Sequence, residues 1–222
     1  MKSIATIIAV LLFFLALPLL LPKPQNDQAT QGLPWQIEVA PDGTALVSGL
    51  TLGRSTLADA LRRFGDDAEL AIVAAPGETG TLELYFANAS MGNVTGKLVV
   101  TAQVTEDELL RLKQNAAKAK YMQSSTKKAA LDDADLPFAY SLPIRALALV
   151  PTANLNEEIL IQRFGQPAER IRTSAEVEHW LYPQQGLDIT LNAKSKELLQ
   201  YVAPRDFQQL REPLLTTPQT AQ

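Results

Sequence analysis

The sequence predicts an α+β protein in which two tandem helix-plus-antiparallel-sheet units follow one N-terminal transmembrane helix. Three observations support this prediction. An uncharged run extends from Ile4 to Pro22, the motif Arg63-Phe64-Gly65 ends a helix-like segment and recurs as Arg163-Phe164-Gly165, and alternating polar and apolar residues follow both copies. Glycine adopts left-handed backbone angles freely and so ends helices, which makes the two motifs an indication of a duplicated small unit.

The composition favours a folded protein and excludes several kinds of chemistry. Of the 222 residues, 46% are hydrophobic and 20% are charged, which is enough apolar material for a packed core. The net charge of −4 disfavours a nucleic-acid partner, because phosphate backbones bind to basic surfaces. The chain has no cysteine and one histidine, so a disulfide, a Cys nucleophile or a multi-His metal site cannot form within it. We expect no enzymatic activity, no cofactor and no metal.

The uncharged run, residues 4–22, predicts a membrane anchor. At a rise of ~1.5 Å per residue it would span roughly 28 Å, close to the hydrocarbon thickness of a bilayer. A cleaved signal segment is the alternative, but the run is long and ends in Leu19-Leu20-Leu21-Pro22 without an Ala-x-Ala-like site.

The anchor also predicts where the protein resides. Because only Met1, Lys2 and Ser3 precede the run, we expect a single pass through the inner membrane with the bulk of the chain exported. An exported chain without cysteine is easier to place in a bacterial periplasm than in a eukaryotic secretory route. A polar linker, residues 23–34, would follow the anchor, residues 1–22.

The first predicted unit covers residues 35–104 and begins with a hairpin. Trp35, Ile37 and Val39 alternate with other residues, and a turn at Pro41-Asp42-Gly43 returns the chain as a second strand over residues 44–50.

A helix and a meander complete this unit. Ser55 or Thr56 caps a helix. Its apolar face is formed by Leu57, Ala60, Leu61 and Phe64. Strands are predicted over residues 69–75, 82–86 and 97–104, and a loop over residues 88–96.

Residues 105–136 are predicted to form a helix and a connector. Thr105 and Glu108 match a capping box, in which each side chain accepts a hydrogen bond from the backbone amide of the other residue. The helix is expected to run to about Gln123, and residues 124–136 to be a polar connector without regular structure. Pro137 and Pro143 argue against regular structure until a strand over residues 144–150.

The second predicted unit covers residues 137–204. A cap within Asn154-Leu155-Asn156-Glu157 begins a helix in which Leu160, Ile161 and Phe164 remain apolar at the places that Ala60, Leu61 and Phe64 hold in the first copy. Strands are predicted over residues 170–173, 178–182, 187–192 and 197–202, with a turn over residues 183–186. A short helix is expected at the start of the tail, residues 205–222.

The motif residues of the second unit are similar to those of a known family of bacterial envelope domains. Phe164-Gly165-Gln166-Pro167 is followed by Trp180-Leu181-Tyr182 and by Gly186. This pattern resembles the BamE (SmpA/OmlA) family, which has a Gly-x-Pro after a helix and a Trp-x-Tyr on a strand. Tandem copies of such a unit are also seen in the β-lactamase inhibitor protein type of fold. The resemblance covers residues 154–202 and implies a bacterial envelope protein that binds other proteins. The lipid-anchoring Cys of the family is missing here, which fits an inner-membrane anchor instead.

Two polar clusters could carry chemistry, and each also has a structural explanation. His179 could accept a proton or bind a metal, but a strand histidine at a half-exposed edge is commoner. Asp132, Asp133 and Asp135 could hold a hard cation. They lack the Gly and Glu that complete a calcium loop, which favours a solvated acidic linker.

Two further stretches contain residue types that bind phosphate or lipid headgroups in other proteins. Residues 49–54 lack the Gly-Lys-Ser/Thr of a nucleotide-binding phosphate loop. A basic cluster could meet acidic lipid headgroups, although an ordinary charged helix face is commoner. Its members are Lys118, Lys120, Lys127 and Lys128.

The candidate partner contacts are the aromatic residues Trp35, Tyr85, Trp180 and Tyr182. Core and sheet packing is the default role for each, but an aromatic side chain left exposed on a sheet face would mark a partner surface. We therefore expect a membrane-anchored periplasmic protein-interaction module, a scaffold or accessory subunit whose partners are other envelope or membrane proteins. The alternative is a periplasmic inhibitor or small-ligand-binding protein that uses the cleft between the two units.

Overall fold

The structure is a computed structural model that describes residues 31–117, 120–121 and 126–216. Its helices are α1 Leu57–Phe64, α2 Glu106–Asn115, α3 Leu136–Ser141, α4 Glu157–Phe164 and α5 Gln208–Thr216. Its strands are β1 Ile37–Val39, β2 Ala45–Val47, β3 Leu50–Thr51, β4 Ala68–Ala74, β5 Thr81–Met91, β6 Val94–Ala102, β7 Lys120–Tyr121, β8 Lys127–Ala130, β9 Ile144–Pro151, β10 Glu169–Arg172, β11 Val177–Tyr182, β12 Leu187–Asn192 and β13 Leu198–Val202.

Most of the strands join one antiparallel sheet. The order of its ten strands is β10-β11-β12-β13-β9-β6-β5-β4-β8-β7, and a small three-stranded sheet has the order β1-β2-β3. The meander β4-β5-β6 and the meander β10-β11-β12-β13 are therefore parts of the same sheet. β9 lies between them and pairs with β6 on one side and with β13 on the other.

The prediction of two separate tandem helix-plus-sheet units is wrong, because one ten-stranded sheet contains both meanders. Leu149 of β9 lies opposite Leu98 of β6 and opposite Leu199 of β13, so pairing continues across the predicted boundary between the units. All three leucines are fully buried. β9 joins both meanders because a strand has two hydrogen-bonding edges, and an unpaired edge would leave backbone donors and acceptors without partners.

The predicted anchor, residues 4–22, lies outside the described residues. Within the part of the chain that the structure describes, none of the helices is both long and apolar enough to cross a membrane.

One face of the large sheet, the core face, is covered by α1, α4 and the small sheet. Phe64 of α1 packs against Phe86 of β5 with ring centres 5.6 Å apart. Phe164 of α4 packs against Tyr182 of β11 at 6.2 Å. Val47 of the small sheet is fully buried in the same core. Full burial of one large apolar side chain contributes about 1.5–3 kcal/mol, so these contacts hold the helices on the sheet.

The helix caps follow the sequence prediction. Thr56 caps α1: its Oγ1 accepts a hydrogen bond from the Asp59 amide at 3.2 Å, and its own amide donates to Asp59 at 2.7 Å. Thr105 and Glu108 form the predicted capping box at the start of α2. The Asn156 side chain caps α4 by accepting from the Ile159 amide at 2.9 Å.

Several local predictions are wrong. Residues 88–96 belong to the hairpin of β5 and β6, where Met91 is fully buried, and do not form a loop. α2 ends at Asn115 and not near Gln123. Residues 127–130 of the predicted connector form β8, which pairs with β4. Pro137 lies in the first turn of α3, where its missing amide removes no helical hydrogen bond.

Candidate functional site

The opposite face of the sheet is covered over one half and open over the other. Phe207, just before α5, is 3% exposed and packs with Leu181 and Val202 on the half formed by β10 to β13. Arg211 of α5 donates to Glu169 of β10 at 2.8 and 3.1 Å. These hydrogen bonds from Arg211 lower the pKa of the Glu169 carboxyl. On the other half, most side chains that point to the same side are partly exposed.

Seven side chains of this second half form a surface that we call the open face. They line a cavity of about 320 Å³. Alternate residues of a strand point to the same side, and the strand register places Tyr85 opposite both Glu69 and Val99. The members of the open face are Glu69, Ala71, Val73, Glu83, Tyr85, Val99 and Lys128.

The open face is mainly apolar and includes three charged residues, two of which pair with each other. Lys128 pairs with Glu69, with Nζ 2.6 Å from Oε2. Glu83 accepts a hydrogen bond from the Thr81 hydroxyl at 2.7 Å. Among the described residues, no cation forms an ion pair with Glu83. A partner with an apolar side chain and a basic group would therefore complement this surface in shape and charge.

Of the four predicted aromatic contacts, Tyr85 lies on the open face, whereas Trp180 and Tyr182 lie in the core. Trp180 is 0% exposed and Tyr182 is 5% exposed. The Trp180 indole donates to Glu178 at 3.0 Å, and the Tyr182 hydroxyl donates to the Gly165 carbonyl at 3.0 Å. Burial raises the pKa of Tyr182 to about 12. Neither ring presents a surface to a partner, so their role is in packing.

Trp35 is half-buried at the margin of the core. Its ring meets Phe164 edge-on at 6.2 Å, and the Arg163 guanidinium lies 4.7 Å from its centre. Trp35 therefore links the segment before the small sheet to α4 and does not belong to the open face.

His179 is hydrogen-bonded to a residue that the sequence argument missed. Its Nδ1 lies 2.9 Å from Asp188 Oδ2 and 3.3 Å from the Thr190 hydroxyl. Asp188 is 1% exposed, and its second oxygen, Oδ1, has no hydrogen-bond partner. The alternation in Leu187-Asp188-Ile189 does predict that Asp188 points away from the core. Its burial depends on contacts from other parts of the chain. Leu181 lies opposite Asp188 in the sheet, and Leu181 packs with Phe207.

This histidine–aspartate pair does not make a nucleophile–base site. A serine-type triad needs the nucleophile on the imidazole nitrogen that does not contact the acid. Thr190 contacts the same nitrogen as Asp188, and no described residue is hydrogen-bonded to Nε2.

Members of the acidic cluster at residues 132–135 and of the basic cluster at residues 118–128 contact other side chains of the protein. Asp135 accepts from Asn115 at 2.9 Å and from Arg111 at 2.6 Å, and both hydrogen bonds lower the pKa of its carboxyl. The described residues contain no group of three or more His, Cys, Asp or Glu side chains placed to hold a metal. Lys127 lies over the Tyr121 ring at 5.6 Å, and Lys120 belongs to the adjacent β7. Lys118 lies outside the described residues.

No protein-family model, no curated protein and no solved structure matches this chain. The similarity of residues 154–202 to the BamE family therefore stays a prediction from the motif residues. The geometry defines a protein built on one ten-stranded antiparallel sheet with an apolar open face.

Proposed function

We propose that this protein is a protein-interaction module, a scaffold or accessory subunit of an envelope complex, that binds its partner through the open face. The observation that supports the proposal is the contrast within the opposite face of the sheet. Leu181 and Val202 are buried beside Phe207, whereas Tyr85 and Val99 are partly exposed around a cavity of about 320 Å³. Aromatic and apolar side chains grouped around a cavity are typical of partner anchors.

The partner is expected on the face of the sheet and not at its edges. At one edge, β10 exposes Arg170 and Arg172, and at the other Lys120 and Lys127 are exposed on β7 and β8. Charged side chains along an edge oppose the addition of a further strand. The open face is mainly apolar, and Glu83 is its one acid without an ion-pair partner among the described residues. Such a surface favours a segment that inserts an apolar side chain and brings a basic residue.

The membrane part of the proposal depends on residues 4–22, which lie outside the described residues. An anchor there would confine the module to the inner membrane and raise its effective concentration for membrane partners. Alkaline washing of membranes tests this part: an anchored chain stays with the lipid, and a chain released by signal cleavage washes free.

The alternative function, an inhibitor or small-ligand binder, required a cleft between two units. β9 pairs with both meanders, so one continuous sheet occupies that place. Among the described residues, the two meanders therefore leave no cleft between them of the kind that this alternative needs.

Photo-crosslinking from the open face tests the proposal in native membranes. A photoreactive residue replaces Val99, and the adducts are identified by mass spectrometry with and without Glu83→Lys. We expect an adduct with a defined protein that Glu83→Lys abolishes. Glu158→Lys makes the same charge change at an exposed position of α4 and should leave the adduct intact. An adduct that survives Glu83→Lys, or no adduct at all, would contradict binding through the open face.

A further inference from the structure

A second cavity, of about 350 Å³, lies where α1 ends beside the turn between β2 and β3. It is lined by Gln31, Gly32, Ser48, Gly49 and Arg63. These residues come from the beginning of the described chain, from a hairpin turn and from the last turn of a helix. The cavity lies apart from the open face, whose residues belong to β4, β5, β6 and β8.

Arg63 gives this cavity a positive charge that no acid of the described residues neutralises. Its Nε donates to the Ser48 carbonyl at 2.8 Å and its Nη2 donates to the Ser48 hydroxyl at 3.0 Å. Its guanidinium also lies 4.9 Å from the centre of the Phe64 ring. Within the described ranges no carboxylate forms an ion pair with Arg63. Partial burial lowers the pKa of Arg63, and a guanidinium removed from water without an anion is unfavourable.

Ser48 adds a second donor and is held in an unusual conformation. It is 2% exposed and has φ of 50°, and Gly49 after it has φ of 84°. The pair forms a tight hairpin turn with two left-handed residues, a place where serine is less favourable than glycine, asparagine or aspartate. Because the Ser48 hydroxyl accepts from Arg63, its own proton remains available to donate. Arg63 and Ser48 can thus both donate to one anion.

Gly32 keeps the space next to these donors empty. A Cβ at this position would lie 3.1 Å from Arg63 Nη2 and 3.3 Å from Ser48 Oγ. Any side chain here would fill part of the cavity and crowd the guanidinium. Gly32 has φ of 68°, a left-handed conformation that other residues rarely adopt.

We propose that this cavity binds a phosphate group, with Arg63 and Ser48 as its donors. Guanidinium groups bind phosphate oxygens through strong charge-assisted hydrogen bonds, and the surrounding donors favour an oxyanion over any cation. Two sources can supply the group. One is soluble phosphate. The other is a phospholipid headgroup, because the chain between Pro22 and Gln31 reaches at most about 30 Å from the end of the predicted anchor.

Arg163 provides a matched control, since the same Arg-Phe-Gly motif places it differently. Arg163 is exposed and lies 4.7 Å from the centre of the Trp35 ring. Arg63 lines the proposed phosphate-binding cavity, and Arg163 does not. Replacement of either arginine by glutamine removes one charge at the end of a helix, but only Arg63→Gln removes a donor from the cavity.

The test measures thermal unfolding of the full chain against inorganic phosphate, with chloride at equal ionic strength as the reference. We expect phosphate to raise the unfolding midpoint of the wild type and of Arg163→Gln. The apparent affinity of Arg63→Gln should fall about tenfold or more, the effect of losing one charge-assisted contact. Ser48→Gly suits the left-handed backbone, so it keeps the fold while weakening phosphate binding severalfold.

The source is distinguished in lipid nanodiscs. The full chain is compared in phosphatidylcholine alone and in phosphatidylcholine mixed with phosphatidylglycerol. A midpoint that rises with phosphatidylglycerol, and only when Arg63 is present, identifies a lipid headgroup. A response to inorganic phosphate without a response to phosphatidylglycerol identifies a soluble ligand. The proposal is overturned when phosphate does no more than chloride, or when Arg63→Gln and Ser48→Gly respond like the wild type.

Discussion

The two halves of the large sheet share one arrangement on the core face and differ on the opposite face. On the core face, α1 precedes β4-β5-β6 and α4 precedes β10-β11-β12. Phe64 packs against Phe86 of β5, and Phe164 packs against Tyr182 of β11. In each half, the phenylalanine at the end of the helix therefore packs against the second strand of the following meander.

On the opposite face, only the half formed by β10 to β13 is closed by α5. Leu181 is 0% exposed and Val202 is 2% exposed there, while Tyr85 and Val99 on the other half are partly exposed. Burial of the core face is therefore sufficient to hold a meander in the sheet. The opposite face is then free either to be buried by a further helix or to be used for binding.

The largest expected difference between the halves concerns Phe207. Phe207→Ala should lower the free energy of unfolding by about 3–5 kcal/mol, because it leaves a cavity between α5 and the sheet. Val99→Ala on the open face should cost about 1 kcal/mol or less. Urea unfolding followed by circular dichroism measures both. Equal losses would show that the open face is as well packed as the face under α5.

The buried pair on the closed half should have the next largest effect. Asp188→Ala removes the acceptor of His179 in a buried site and should cost about 1–3 kcal/mol. Glu83→Ala on the open half removes an acid that has no ion-pair partner among the described residues, and should change stability by about 0.5 kcal/mol or less. Urea midpoints of the two variants give the comparison. If Asp188→Ala left the stability unchanged, the cost of burying the unpartnered Oδ1 would equal the gain from the hydrogen bond to His179.

A smaller, pH-dependent effect is expected at the attachment of α5 to β10. The pKa of Glu169 is lowered by its hydrogen bonds to Arg211. A lowered carboxyl pKa stabilises the fold above the unfolded-state value, which is near 4.5, and this stabilisation is lost as the pH falls through the folded-state value. The wild type should therefore unfold at a higher temperature than Arg211→Met at neutral pH.

The same comparison at low pH provides the control. Once Glu169 is protonated, the wild type and Arg211→Met should have nearly equal unfolding midpoints. A difference that stays constant from neutral pH to well below 4.5 would mean that the arginine acts by packing alone.

The smallest effect is expected for the Tyr85 hydroxyl on the open face. This hydroxyl makes no hydrogen bond within the described residues, so Tyr85→Phe should leave stability unchanged to within about 0.5 kcal/mol. Tyr182→Phe on the closed half removes a donor to the Gly165 carbonyl at 3.0 Å and should cost about 1 kcal/mol. Thermal unfolding of both variants decides whether the two tyrosines differ as the structure indicates.

The elements that sequence reasoning predicted well depend on neighbouring residues. Thr105 and Glu108 form the expected capping box, and the alternation in Leu187-Asp188-Ile189 corresponds to β12. The predictions that failed depend on residues far apart in the chain. Residues 127–130 become β8 only because they meet β4, and Met91 is buried because the β5–β6 hairpin continues through residues predicted as a loop.

The candidate site shows the same division. Tyr85 is one of the four aromatic residues predicted as partner contacts, and the structure places it on the open face. Trp180 and Tyr182 were predicted with it, but their side chains point to the core face, where α4 covers the sheet. Asp188 and Arg63 were missed, because their surroundings come from other parts of the chain.

Local chemistry in the chain was enough to set where helices begin and end and which strand residues share a side. These features depend on hydrogen bonds and backbone preferences within a few residues. Three features were decided only by contacts between distant parts of the chain. β9 pairs with both meanders, α5 covers the half of the sheet formed by β10 to β13, and Arg63 shares a cavity with Ser48. No local pattern specifies those contacts, because each meander presents the same alternation whether its outer face is later covered or left open.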